Sequence, residues 1–145
     1  PCVLCASDCS VSPARTVGDL SGQLSVSGDV ARARLRSSLG LGRGAADEGH
    51  HLIPLGLKDH DIVRRAAKGG FNFNDAIDNG VGLGFRRHRS VNVFHHNKYN
   101  KAVGKVLDSS LPGMTNMTDA QVATWLRGYT ARLRGGIGRS SRRLR

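Results

Sequence analysis

Gly49-His50-His51-Leu52-Ile53-Pro54 decides the reading of this chain, together with His95-His96-Asn97-Lys98-Tyr99-Asn100 further along. Four of the six histidines form these two adjacent pairs, and Asn79-Gly80 lies between them. Leu52, Ile53 and Leu55 suit a short strand, with Pro54 at its edge or end because proline has no amide to give to a ladder. Neighbouring residues on a strand point to opposite faces, so His50 and His51 are badly placed to hold one ion side by side. They suit a split assignment, one turned to a metal and the other to a substrate. On a helix beginning near His96, His96 and Asn100 are four apart and share a face. Set against the strand, that helix would complete a site with His50. Two imidazoles and a weak amide oxygen leave positions open on a divalent ion, as a catalytic metal requires and a structural one does not.

Around this centre the periodicities predict a small α+β domain. Asp29 is placed to cap a helix over about 30–39, which Gly40, Gly42 and Gly44 end. A second helix runs from Asp59 to Lys68, with Ile62, Val63, Ala66 and Ala67 on one stripe and Gly69-Gly70 as its stop. Phe71 and Phe73 face inward. Asn74 to Ile77 is a turn or short helical piece, and Asn79-Gly80 is a turn signal. Val81 to Phe85 alternates apolar residues with glycine, as a strand with a close neighbour would. The later helix extends from near His96 to about Leu107. Thr118 and Gln121 have the spacing of a capping box, opening a helix to about Leu133 with Trp125 and Tyr129 in its core face. Residues 1–28 read as a linker or the remnant of a longer chain, partly ordered at best. Residues 134–145, with five Arg, three Gly and no acid, read as a disordered cationic tail. The working domain is thus 29–133, with its centre at 45–107.

Charge sets the class of partner. Twenty-two Lys+Arg against 11 Asp+Glu give +11 over 145 residues, and most of the cations are Arg, which favours a polyanion. Arg86, Arg87, Arg89 and Lys98 flank the second histidine pair and are candidate phosphate contacts. His88, in the same basic loop, reads first as a phosphate contact or a solvated side chain, with membership of the metal site as the alternative, and His60 reads as a surface residue. No run of about 18 apolar residues is present to span a membrane, and no signal peptide is visible. The start at Pro1 makes a piece of a longer or processed chain the expectation. Cys2, Cys5 and Cys9 have no fourth ligand at zinc-ribbon or finger spacing, and their odd number leaves no closed disulfide set.

GHHLIP at 49–54, IVRRAAKGGFNFNDAIDNGVGL at 62–83 and HNKYN at 96–100, in this order, resemble the His-Asn-His/endonuclease VII superfamily of ββα-metal nucleases. More narrowly, they resemble the AHH nuclease domains of bacterial polymorphic toxins, with Gly49 where the family usually has Ala. The resemblance implies a ββα-metal core with flanking helices, and it implies roles. His51 corresponds to the general base, His50 and His96 to metal ligands, and Asn79 to the central Asn that braces the loop and orients the base. Asn100 falls where a last ligand often sits, and His95 would replace His96 if the register slipped by one. The implied cofactor is one divalent ion (Mg, Mn, Ni or Zn). The implied activity is largely nonspecific endonuclease cleavage, leaving 3′-hydroxyl and 5′-phosphate ends.

DNA is the natural substrate of such chemistry, since nothing in it uses a 2′-hydroxyl. A metal-dependent RNase toxin is an alternative, as is a non-catalytic nucleic-acid-binding module with a structural zinc. A toxin would be secreted or delivered to act in the target-cell cytoplasm. An acidic immunity protein is its implied partner.

Overall fold

A computed structural model describes residues 18–84, 88 and 96–142 of the chain. Its elements are α1 (Gly28–Ser38), β1 (Asp47–His51), α2 (Asp61–Lys68), α3 (Ala76–Asn79), β2 (Gly80–Gly84), α4 (His96–Ser110) and α5 (Asp119–Arg142). Short 3-10 turns occupy Ser21–Ser25, Leu55–Leu57 and Leu111–Met114. The class is α+β, as expected: helices surround a two-stranded antiparallel sheet, with α4 following β2 in a ββα order.

In the sheet Asp47 pairs with Gly84, Gly49 with Gly82 and His51 with Gly80. The strand is the His-His segment itself and not the apolar run after it. Leu52 and Ile53 leave the ladder because the amides that would extend it go to Asn79: Leu52 N donates to Asn79 O (2.9 Å) and Ile53 N to Asn79 Oδ1 (2.6 Å). Asn79-Gly80 is likewise no hairpin turn. Asn79 ends α3 and Gly80 opens β2 with ordinary extended backbone. Glycine is needed at 80 for space, since a Cβ would lie 2.7 Å from both Ala76 Cα and Leu35 Cδ1. Gly69 has the same kind of reason: a Cβ there would overlap the Asp119 carbonyl, where α2 meets the start of α5.

The caps refine the expected helix starts. Ser27, not Asp29, caps α1 by accepting from Val30 N (3.4 Å). His60 caps α2 through Nδ1, which accepts from Ile62 N (3.2 Å), and its Nε2 meets Asp108 Oδ1 of α4 at 3.2 Å. It is therefore a half-buried link between helices and not a loose surface side chain. The capping box forms as read: Gln121 N donates to Thr118 Oγ1 and Thr118 N to Gln121 Oε1.

One hydrophobic core joins α2, the Phe71 and Phe73 segment, α4 and α5. It also includes Leu24, from a stretch expected to be linker. The basic stretch expected as a disordered tail continues α5 as far as Arg142. Arg134 explains part of this, because its guanidinium donates to the carbonyls of Ala76 and Ile77 in α3 and of Gly80 at the start of β2. Arg127 ties the same helix to α3 through Asp78, which is 2% exposed, and through the Gly70 carbonyl.

Candidate metal centre and catalytic cleft

β1 delivers its two histidines to opposite surroundings, as strand alternation requires. The His50 ring lies 5.2 Å from that of His88, 5.8 Å from His96 and 5.4 Å from Tyr99. The His51 ring stacks on Phe73 at 5.5 Å. Both are 6% exposed. Burial, followed by the neighbouring His88, His96 and His51, lowers the His50 pKa to about 3. Burial lowers that of His51 to about 4, against a partial upward pull from Asn74. Both imidazoles are neutral at neutral pH, so each has a ring-nitrogen lone pair to use.

His50, His88 and His96 form a cluster whose candidate ligand atoms all lie within 4.8 Å of one another. His50 Nδ1 and His88 Nε2 are 3.2 Å apart. Two nitrogens ligating one ion at about 2.0–2.1 Å in tetrahedral geometry stand about 3.3 Å apart. The pair is therefore spaced for a shared ion. Glu48 supports the same assignment. Its Oε2 accepts from His88 Nδ1 at 2.6 Å, which leaves the lone pair on His88 Nε2, facing His50. A carboxylate behind a ligating imidazole fixes its tautomer and raises its basicity. The chemistry of the donors thus fits a divalent ion.

His88 is the main shift from the sequence reading, which ranked membership of the site below a phosphate contact or solvation. The signal was present but weak: Glu48 and His50 share one face of β1, and a third histidine follows β2. His96 stands on the first turn of α4, exposed, with Nε2 at 3.3 Å from the His88 carbonyl. Asn100, one turn on, lines the same cleft. Lys98 is exposed on that helix. Arg86, Arg87, Arg89, the alternative ligand His95 and the three cysteines lie outside the described residues.

His51 is held from behind. Asn74 Nδ2 donates to the Gln23 carbonyl (3.2 Å), which turns Asn74 Oδ1 toward His51 Nε2 at 3.3 Å. His51 must then carry its proton on Nε2, and Nδ1 is left as the acceptor. Asn79, fully buried, braces the loop after the pair: besides accepting from Ile53 N, it donates through Nδ2 to the carbonyls of Ile53 (3.3 Å) and Phe73 (3.0 Å). Tyr99 Oη donates to the Leu52 carbonyl (2.5 Å), fastening α4 to that loop; burial pushes its phenol pKa upward. Asn74 and Tyr99 lie inside the motif stretches at 62–83 and 96–100, but nothing in the sequence assigns them or Glu48 these roles.

The two halves share one cleft of about 240 Å³, lined by His50, His88, His96 and Asn100 on one side and by His51 and Arg32 on the other. Arg32, on α1, carries no sequence motif that connects it with the site. A buried neutral imidazole opposite a three-histidine cluster that could hold a metal ion, on a ββα unit in a chain of net charge +11, is an arrangement suited to phosphodiester chemistry on a polyanion.

The family model of AHH, a nuclease family of the HNH/ENDO VII superfamily with conserved AHH, matches residues 34–127. The chain belongs to this family, and its substrate is nucleic acid. Neither a search of curated proteins nor one of solved structures gives a match. Gly49 stands where the family has its alanine. A Cβ there would sit 3.3 Å from both Arg36 Cγ and Leu39 Cδ1, so these two side chains at the end of α1 would have to shift by a few tenths of an ångström for alanine.

Proposed function

We propose that this nuclease is a metal-dependent, largely sequence-nonspecific endonuclease, with DNA as substrate and 3′-hydroxyl and 5′-phosphate ends as products. The observation that carries the reading is the shared cleft, with an oriented neutral base, His51, across from three converging imidazoles. His51 Nδ1 takes the proton of the attacking water, and Asn74 holds the resulting imidazolium by its Nε2–H. Asn79 keeps the base at a fixed height above the cleft by securing Ile53. Arg32 and Lys98 draw in the phosphate backbone. A divalent ion held by His50, His88 and His96, with Asn100 beside them, would supply charge stabilisation on the phosphate oxygens.

The biological reading is a toxin domain, delivered to the cytoplasm of a target cell and neutralised by an acidic immunity protein. Its support is the ordered set of motifs and a net charge of +11, which an acidic partner would meet by electrostatic steering. The test is nicking of supercoiled plasmid and degradation of total RNA at equal enzyme. Wild type is compared with His51→Ala, first in EDTA and then with Mg²⁺, Mn²⁺, Ni²⁺ or Zn²⁺ restored. Metal-dependent plasmid cutting that falls by about 10²–10⁴-fold in the variant is expected. Preference for RNA would replace the DNase reading, and cutting in EDTA would remove the metal from it.

A further inference from the structure

α1 carries arginine beyond the catalytic cleft. Arg32 lines the cleft, and Arg36 follows one helical turn, about 5.4 Å, further along the same face. The stem of Arg36 lies against Gly49 of β1, itself a wall of the cleft: a Cβ on Gly49 would meet Arg36 Cγ at 3.3 Å and its Cα at 3.7 Å. Past Arg36 the surface opens into a shallow groove of about 450 Å³, walled by Arg36, Ser37, Leu41, Gly42 and Arg43. Among the described residues no acid lines it. Cleft and groove form one basic path, with Arg36 at the divide.

Several features of this groove are not accounted for by folding. Arg36 is half-buried and already oriented, with Nη2 donating to the Gly42 carbonyl at 3.0 Å. Its other N–H groups are open to solvent and have no partner among the described residues. Arg43 is exposed. Neither arginine forms an ion pair among the described residues, whereas Arg32, Arg65 and Arg127 each do. Gly42 is a glycine that neither backbone nor packing requires: its φ is not positive, and a Cβ on it would meet nothing within 4 Å. The missing side chain keeps the groove open to the close approach of a phosphate. The negative end of α1 is what opposes an anion here, and it is blunted. The amides of Leu39, Gly40 and Leu41 donate to the carbonyls of Leu35, Ser37 and Arg36, with Gly40 at φ 68°.

We infer that this groove is a second phosphate-binding site: Arg36 and Arg43 hold the backbone of the substrate on one side of the scissile phosphate. The inference rests on the nuclease reading and deepens it. A strand of duplex rises about 3.4 Å per nucleotide, so the helical turn from Arg32 to Arg36 spans one to two nucleotides. A guanidinium fork takes two phosphate oxygens in parallel and stays charged at any working pH. Contacts of this kind fix register and orientation without reading the bases, as cleavage of any sequence requires.

The salt dependence of binding tests it without catalysis. Protein in EDTA is titrated with a short fluorescent DNA duplex over a series of KCl concentrations, and the logarithm of the binding constant is plotted against that of the salt. The double variant Arg36→Gln/Arg43→Gln should make the slope shallower by about 1.8, roughly 0.9 for each of two phosphates no longer neutralised. The double variant Arg64→Gln/Lys68→Gln removes the same charge from exposed positions of α2, outside both cavities, and should keep the wild-type slope. Gly42→Glu sets a carboxylate between the two arginines where the fold has room for it. It should make the slope shallower by a similar amount with an unchanged melting temperature, and it decides the matter if the arginine variant does not fold. A wild-type slope in Gly42→Glu, or an α2 variant that loses as much as the arginine variant, would overturn the site with the nuclease intact. Shallower slopes in the groove variants, in a protein that cuts nothing with any metal, would keep the groove and overturn the endonuclease reading instead.

Discussion

Asn79 and Ile53, twenty-six residues apart, are joined through both backbone groups of Ile53: its amide donates to Asn79 Oδ1 at 2.6 Å and its carbonyl accepts from Asn79 Nδ2 at 3.3 Å. The amide side chain thus imitates a strand neighbour for a segment that has left the sheet. Asn79→Ala strands buried groups on Ile53 and Phe73 with nothing to bond to. A loss of about 3–5 kcal/mol is expected, from unsatisfied groups worth about 1–3 kcal/mol each. Asn79→Asp keeps the acceptor but faces two carbonyls with a carboxylate, so it should rescue little. Denaturant midpoints of the two variants check this, and an unshifted midpoint in either would sink it.

The three-imidazole cluster predicts a ranking of variants in metal binding. Replacing His50 or His88 by Ala should abolish tight binding of Zn²⁺ or Co²⁺, measured by calorimetry or by the visible spectrum of Co²⁺. Glu48→Gln keeps every ligand and should weaken binding by about 10–100-fold, the usual effect of losing a carboxylate behind a ligating histidine. Asn100→Ala should weaken it least, since an amide oxygen is a poorer donor to these ions than imidazole. If His88→Ala binds like wild type, the centre is not the one the geometry assembles.

Periodicity made the helices legible and motif order made the site legible, each within limits. The α2 stripe, the inward Phe71 and Phe73 and the Thr118–Gln121 box are local patterns, and local physics produced them. The strand was placed too late because Leu52 and Ile53 are apolar for another reason: both are fully buried under Asn79 and α4. The Asn79-Gly80 pair imitates a turn, but its glycine answers to Leu35, forty-five positions away. His88 needed the sheet register, which sets Glu48 and His50 on one face. Asn74 needed Gln23, from a segment without any periodic pattern. Such residues are defined by contacts between distant segments, and spacing along the chain does not encode those.

Asn74 gives a sharper test of how His51 works. With its amide fixed by the Gln23 carbonyl, it selects the tautomer that leaves Nδ1 as the acceptor. Asn74→Ala removes that selection without touching a cluster histidine. The turnover rate should fall by roughly tenfold to a hundredfold, less than the ~10²–10⁴-fold worth of the general base itself, while the metal affinity is unchanged. Asn74→Asp retains the acceptor and should recover most of the rate. Nitrogen-15 shifts of the His51 ring report the tautomer directly: a mixture in Asn74→Ala and one form in wild type are expected. A single form in both would assign the orientation to the Phe73 stacking alone.

Metal-free protein should lose stability in mild acid. Burial holds the folded-state pKa of His50 at about 3 and of His51 at about 4, against an ordinary 6.5. The unfolded chain therefore binds more protons throughout that window. The stabilisation is complete above pH 6.5 and falls as pH drops toward the folded values, by about 1.4 kcal/mol per pH unit for each group. From pH 6.5 to 5 this precedes the titration of most carboxylates, so the melting temperature should already decline there. His51→Gln should make the decline shallower and His50→Gln likewise, since each removes one of the protonation sites. A bound divalent ion adds to the effect at higher pH, because protons and metal compete for the same imidazole nitrogens. Melting curves of metal-free and Zn²⁺-loaded protein across pH 5–8 measure both terms. A metal-free melting temperature that stays flat from pH 6.5 to 5 would mean that these two imidazoles are not buried in solution as the fold requires.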